Sequence, residues 1–232
     1  ALASSFEEGF EPDSVTNPLT YEKWKPTTTT AHITLNLNGT KSINYIALAA
    51  HDFGSTGKTV RIETSPTGTS YSTVEVINPT DDRAIMVTFG ATSVGYVRIS
   101  LSGGSISTLG VIYTGKYLEM YRPFYGGHTP GVLSRQTTVK PNKSVKGQWL
   151  GRSIERQGLT TKYSWKNTPI EWYEDNVDAL SKHAQEYPFF VKWNPDEFPD
   201  HVMYCWTADD IKPRLSGTRD LCEFGFSVEG IE

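Results

Sequence analysis

Between residues 30 and 114 apolar and polar positions alternate with period two, and turn residues break the alternation repeatedly. Ile33, Leu35 and Leu37 fall on one side of the first such segment, with His32, Thr34 and Asn36 on the other. Asn38-Gly39 follows, a dipeptide that readily takes the positive φ angles of a tight turn. Residues 43–50 are apolar on both sides, as a strand covered on both faces would be. Val60, Ile62 and Thr64 form another row opposite Arg61 and Glu63, and Pro66-Thr67-Gly68 then reverses the chain toward Val74 and Val76. Ile85, Val87 and Phe89 repeat the pattern, as do Val97, Ile99 and Leu101. Short strands separated by turn signals predict an all-β sandwich with no helix in this half.

After Tyr113 the texture changes. Residues 115–120 predict a strand, and a Gly- and Pro-rich connection follows through Gly131. Residues 137–146 are polar and basic and contain Pro141, which predicts an exposed loop or arm. Its Lys140, Lys143 and Lys146 are either solvated or set against an acidic neighbour. Strands are expected at 148–156 and 161–165, joined through Gln157-Gly158. Thr168-Pro169-Ile170-Glu171 reads as a capping box, with Thr168 as the cap and Pro169 in the first helical position. Ile170, Tyr173, Val177, Leu180 and Ala184 then mark one buried stripe of a helix over about 168–187, which Pro188 stops. Strands at 189–193, 202–207 and 221–228 complete the pattern, the last placing Cys222, Phe224, Phe226 and Val228 on one face. The chain thus reads as mainly β: a jelly-roll sandwich over 18–115 and a sheet packed with one helix over 116–232. Pro12, Asp13, Asn17 and Pro18 suggest an extended N-terminal arm over 1–17.

A length of 232 residues suits two such units. With 22 Lys+Arg against 26 Asp+Glu, nothing basic is concentrated enough to attract a phosphate backbone, so nucleic acid is not an expected partner. No apolar run is long enough to span a membrane as a helix, and the acidic opening does not read as a signal peptide. Cys205 and Cys222 lie in separate strand-like segments and read as buried thiols of a reducing compartment, although a pair facing across a sheet is the alternative. The six Trp and twelve Tyr fit sheet packing, with sugar stacking or a subunit interface as the sharper reading. His32, His51, His128, His183 and His201 form no metal-ligand spacing, and no nucleophile elbow, phosphate loop or dinucleotide fingerprint occurs. Asp196, Glu197, Asp200, Asp209 and Asp210 sit among turn residues and read as exposed turns. No enzyme activity and no cofactor is expected on these grounds.

Two resemblances add to this reading. Trp24, the Ile33-Thr34-Leu35-Asn36-Leu37 strand, Tyr45-Ile46-Ala47-Leu48, the Ser65-to-Tyr71 turn and Tyr96-Val97-Arg98-Ile99 together resemble the discoidin-like, galactose-binding jelly rolls. Thr67 departs from that family's usual Asp in the turn, and no cysteine pair closes the ends of the domain. The resemblance implies a carbohydrate site on loops at one end of the sandwich, for which His51, Asp52, Tyr71, Asp81, Asp82 and Arg83 are the polar or aromatic candidates. Each has a plainer reading: His51-Asp52-Phe53-Gly54 as a turn, Asp81-Asp82 as a solvated turn, and Arg98 as the structural partner of a neighbouring strand or loop.

The second half resembles distal-tail proteins of the tail tip or baseplate of long-tailed bacteriophages. That likeness rests on Gly151-Arg152, the helix leading into the Pro188-to-Pro195 segment, Phe198-Pro199, Tyr204-Cys205-Trp206 and Phe224-Gly225-Phe226. It implies a virion structural subunit, assembled in the host cytoplasm as a homo-oligomeric ring against tail-tube and tail-tip neighbours, with the sandwich aiding adsorption to a host surface glycan. The alternative is a stand-alone carbohydrate-binding protein, or an accessory part of a polysaccharide-degrading enzyme.

Overall fold

The computed structural model describes residues 1–231 apart from 125, 127, 208, 218 and 219. It is mainly β, in two compact units, Ala1–Leu118 and Glu119–Glu232.

The first unit holds β1 (Leu2–Ala3), β2 (Ala31–Ala49), β3 (Thr59–Ser65), β4 (Ser72–Ile77), β5 (Ile85–Ser102) and β6 (Val111–Gly115). Its strands run in the order β1-β2-β5-β3-β4, with β6 also on β2. β2 and β5 are 19 and 18 residues long, so each merges two segments that the alternation pattern separates. The first half of β2 pairs with β1 and the C-terminal half of β5, while its second half pairs with β6 and the N-terminal half of β5. One continuous pair of strands therefore serves a five-stranded and a three-stranded layer. The changeover lies at the register shift between Asn36 and Lys41. Asn38 and Gly39 do take positive φ there, 53° and 113°, but as an irregularity within β2 instead of the expected chain reversal.

Inward positions of both layers meet in one core that includes Ile33, Leu35, Ile46, Leu48, Val60, Ile62, Val97, Ile99 and Ile112. Ile99 lies between Ile33 and Ile62 across the ladder and is fully buried. Cutting it to alanine removes contacts on both sides and costs about 2–5 kcal/mol. Residues 1–17, expected as an extended arm, pack on their own sandwich. Leu2 and Ala3 pair with Thr34 and Ile33, Val15 is wholly buried in a short 3-10 turn (Pro12–Thr16), and buried Trp24 donates its Nε1–H to the Ser5 carbonyl at 3.0 Å. The unpaired edge of β2 and the apolar Val15 both gain from that cover.

The second unit is an antiparallel sheet in the order β7-β8-β12-β10-β9, with the short β11 beside β12. Its elements are β7 (Arg135–Lys143), β8 (Trp149–Pro169), α1 (Ile170–Glu186), β9 (Phe189–Lys192), β10 (Val202–Thr207), β11 (Arg214–Leu215) and β12 (Leu221–Ile231). Cys222, Phe224, Phe226 and Val228 do share the buried face of β12, opposite Tyr163 and Trp165 of β8. The helix buries Tyr173, Val177 and Ala184 and leaves His183 exposed; the Tyr173 ring meets Phe224 edge-on at 5.1 Å.

Three local expectations change. Thr168 does not cap α1: it pairs with Cys222 at the end of β8, its hydroxyl is buried without a hydrogen bond among the described residues, and Pro169 takes the cap position. Residues 116–120 form no strand. Residues 137–146, expected as a loop, lie mostly in β7, whose pairing with β8 makes a two-stranded ribbon; all of β7 is exposed. A ribbon bare on both faces needs no alternation of apolar and polar residues, so its sequence carries no strand period. β8 itself runs unbroken through Gln157-Gly158.

Candidate functional site

The loops after β2, β4 and β5 meet at one end of the sandwich. Gly54 lies so close to the Asp81 backbone that a Cβ there would collide with it, and Ser105 donates its N–H to the Thr56 carbonyl at 3.0 Å. Asp52 accepts the Thr108 N–H at 2.7 Å and its hydroxyl at 3.1 Å. Asp82 accepts the Ser55 N–H at 3.0 Å. Asp81 takes the Arg83 Nε–H at 2.7 Å, and that hydrogen bond is the main reason its carboxyl sits below the usual aspartate range. Lys58 ties the same end from inside, donating its Nζ to the carbonyls of Thr29 (2.5 Å) and Gly103 (2.8 Å). Burial lowers its pKa, with the Asp52 charge opposing. His51 is buried and stacked on Phe53 at 4.3 Å, and burial pushes its pKa down to about 4 against the pull of Asp82.

Five of the six loop candidates, His51, Asp52, Asp81, Asp82 and Arg83, are thus gathered at this end. Asp52 and Asp82 tie one loop to another, while Asp81 and Arg83 pair within theirs.

Tyr71 is elsewhere. The seven residues of β3 separate its loop from the other five by about 20 Å. There the Arg98 guanidinium stacks on the Tyr71 ring at 3.7 Å and forks onto Glu63, with Nε at 2.9 Å from Oε2 and Nη2 at 3.2 Å from Oε1. Ser100 adds its hydroxyl to the same carboxylate at 2.7 Å. Burial raises the Glu63 pKa, but the hydrogen bonds from Arg98 and Ser100 and the charges of Arg98 and Arg61 outweigh it, so the carboxyl stays below its ordinary value. Arg98 is therefore the partner of a neighbouring strand and loop, as its sequence position suggests.

Beside this triad, the outward face of the five-stranded layer carries a shallow groove of about 330 Å³. His32, Ser100 and Arg61 face one another across β2, β5 and β3, and Ser102 and Thr59 form the adjoining pair. Ser4 closes one side, its hydroxyl oxygen accepting the His32 N–H at 3.0 Å. His32 and Arg61 are exposed, and among the described residues no acid lines the groove. The alternation pattern marks both as outward positions, but only the register of three strands brings them into one row. A polar residue at every second place in adjacent strands is the signal that was present.

Among the described residues no cluster of three or more His, Cys, Asp or Glu is placed to hold a metal ion. No described helix is long and apolar enough to cross a membrane. Both cysteines are free and buried.

No protein-family model and no curated protein sequence matches the chain. Solved structures that it resembles include a family 32 carbohydrate-binding module of Clostridium perfringens in complex with GalNAc-β-1,3-galactose, at 13% identity and a TM-score of 0.44, covering 49% of this chain and 92% of that one. Chitosan-binding module 1 of a chitosanase/glucanase from Paenibacillus sp. IK-5 is 21% identical, with a TM-score of 0.44 and coverage of 49% and 91%. A pectin-binding carbohydrate-binding module is 18% identical, with a TM-score of 0.42 and coverage of 49% and 86%.

Proposed function

We propose that the chain is a carbohydrate-binding protein that presents a glycan site on its first unit. The observation that carries this reading is the open groove: hydroxyls, an imidazole and a guanidinium on a rigid sheet face, with no acid among its lining residues. Hydroxyl and imidazole groups exchange hydrogen bonds with sugar hydroxyls in both directions, and a sheet face holds them in place without further ordering. The end-loop cluster is the second candidate surface, with the paired Asp81 and Arg83 partly exposed on it. Titrating the whole chain by calorimetry against a panel of neutral and acidic oligosaccharides tests the proposal. Saturable binding to at least one is expected, and silence across the panel would overturn it.

A specific observation favours a second reading, assembly. The β7–β8 ribbon exposes Val145, Trp149, Leu150 and Ile154 alongside Arg135, Lys140, Lys143, Lys146, Arg152 and Arg156, with Glu155 as its one acid. A basic, partly apolar ribbon on an acidic chain of net charge −4 suits contact with another copy. A ring at the end of a phage tail tube is the finer form of that idea and rests on the sequence resemblance of the second half. Closed rings in negative-stain images at high protein concentration are its expected result, and persistent monomers in sedimentation would count against it.

A further inference from the structure

The groove carries a charge that a neutral sugar would not use. Arg61 is exposed at its edge and makes no ion pair or side-chain hydrogen bond among the described residues. The acid next to it, Glu63, is taken by the Arg98 fork and by Ser100. On this face Arg98 pairs with Glu63, and Arg61, whose charge also favours the ionised Glu63, is the exposed cation beside that pair. The groove has no Phe, Tyr or Trp among its lining residues, and Tyr71 is covered by Arg98. A sugar there gains no stacking platform, so its hold must come from hydrogen bonds, of which charge-assisted ones are the strongest.

Geometry narrows the ligand further. His32 and Arg61 lie two strands apart, about 10 Å at the backbone, with Ser100 between them. A guanidinium presents paired donors that match a planar carboxylate. The Ser100 hydroxyl spends its proton on Glu63 and the Thr59 hydroxyl spends its own on Asn78 at 2.7 Å, so both offer lone pairs to a ligand's hydroxyl groups. His32 and Ser4 close the other side.

We propose that the His32–Ser100–Arg61 row binds a carboxylate-bearing sugar, a uronic acid unit of an acidic polysaccharide, with Arg61 forked on the carboxylate and Ser100, Thr59 and His32 on the ring hydroxyls. This deepens the carbohydrate-binding reading and rests on it.

The test titrates the whole chain with a glucuronic-acid oligosaccharide, with the same oligosaccharide methyl-esterified, and with sodium acetate as competitor. The acid form is expected to bind, to weaken as salt rises, and to bind roughly tenfold or more tighter than the ester. Arg61→Gln should lose that same factor and with it the discrimination between acid and ester, while its circular dichroism and melting stay those of the parent. His32→Ala should weaken both forms alike. Equal binding of acid and ester, or unchanged acid binding by Arg61→Gln, overturns the uronate assignment and leaves carbohydrate binding standing. Displacement by acetate at matched carboxylate concentration also overturns it, since the groove would then be a bare anion site. Failure of acid, ester and the whole neutral panel alike removes the carbohydrate reading itself.

Discussion

Replacing Arg98 by alanine removes two of the three hydrogen bonds that hold the Glu63 carboxylate, those at 2.9 and 3.2 Å, keeps only the Ser100 hydroxyl, and leaves that carboxylate where only 7% of the residue is exposed. Exposed pairs contribute at most about 1 kcal/mol, whereas breaking a fully buried pair costs about 3–5. The Arg98 side chain is 26% exposed, so the pair lies between these limits and a loss of about 2–3 kcal/mol is expected. The unit spanning Ala1–Leu118 has an unfolding entropy near 0.25 kcal/mol/K, from about 2.1 cal/mol/K per residue. Its melting midpoint should therefore drop by about 8–12 °C in scanning calorimetry of the whole chain.

The pH profile adds a second readout. Glu63 titrates below the ordinary glutamate value when folded, so its contribution is present above that ordinary value and is lost as pH falls through the folded pKa. Arg98→Ala should flatten this acid limb. In a cycle with Glu63→Gln the two losses should overlap by about 1–2 kcal/mol. A midpoint shift under about 2 °C, or strictly additive losses, would refute the reasoning.

Other expectations concern buried polar groups. His51 should titrate near pH 4 by NMR; because the unfolded imidazole takes its proton first, the first unit should lose stability as pH falls from about 6.5 through 4, and His51→Gln should lose part of that slope. Thr168→Val should hold or raise stability by up to about 1 kcal/mol in urea unfolding, because the hydroxyl it removes is buried without a partner among the described residues; a loss of about 1 kcal/mol would restore the capping role. Burial raises both cysteine thiols, so Cys205 and Cys222 should resist a thiol reagent in the native protein and react fully in denaturant; rapid labelling of Cys205 in the native state would contradict its burial.

The strand rows of the first unit were legible because burial follows period two: Ile33, Leu35, Val60, Ile62, Val97 and Ile99 all face the core as their spacing implies. The joining of two segments into β2 was not legible, because Asn38-Gly39 supplies the same positive φ to a hairpin and to a bend inside a strand. The α1 stripe was readable from its spacing, whereas Thr168 misled because β12 claims that residue for the sheet before the helix begins. At the site the failure is of a different kind. His51, Asp52, Asp81, Asp82 and Arg83 cluster as loop residues should, but Tyr71 falls at the far end, because the loops before and after β3 lie at opposite ends of that strand, which a selection of loop residues by type alone ignores. His32, Ser100 and Arg61 lie far apart in sequence and meet only through register.

Two strands owned in common by both layers have a mechanical consequence. Neither layer can slide, peel or melt without dragging its counterpart, so amides of Ile33 and Ile46, at the two ends of one continuous strand, should exchange with deuterium at a shared rate set by whole-unit opening. A surface bolted down in this way meets an incoming molecule already in shape, and little motion is left to freeze on contact.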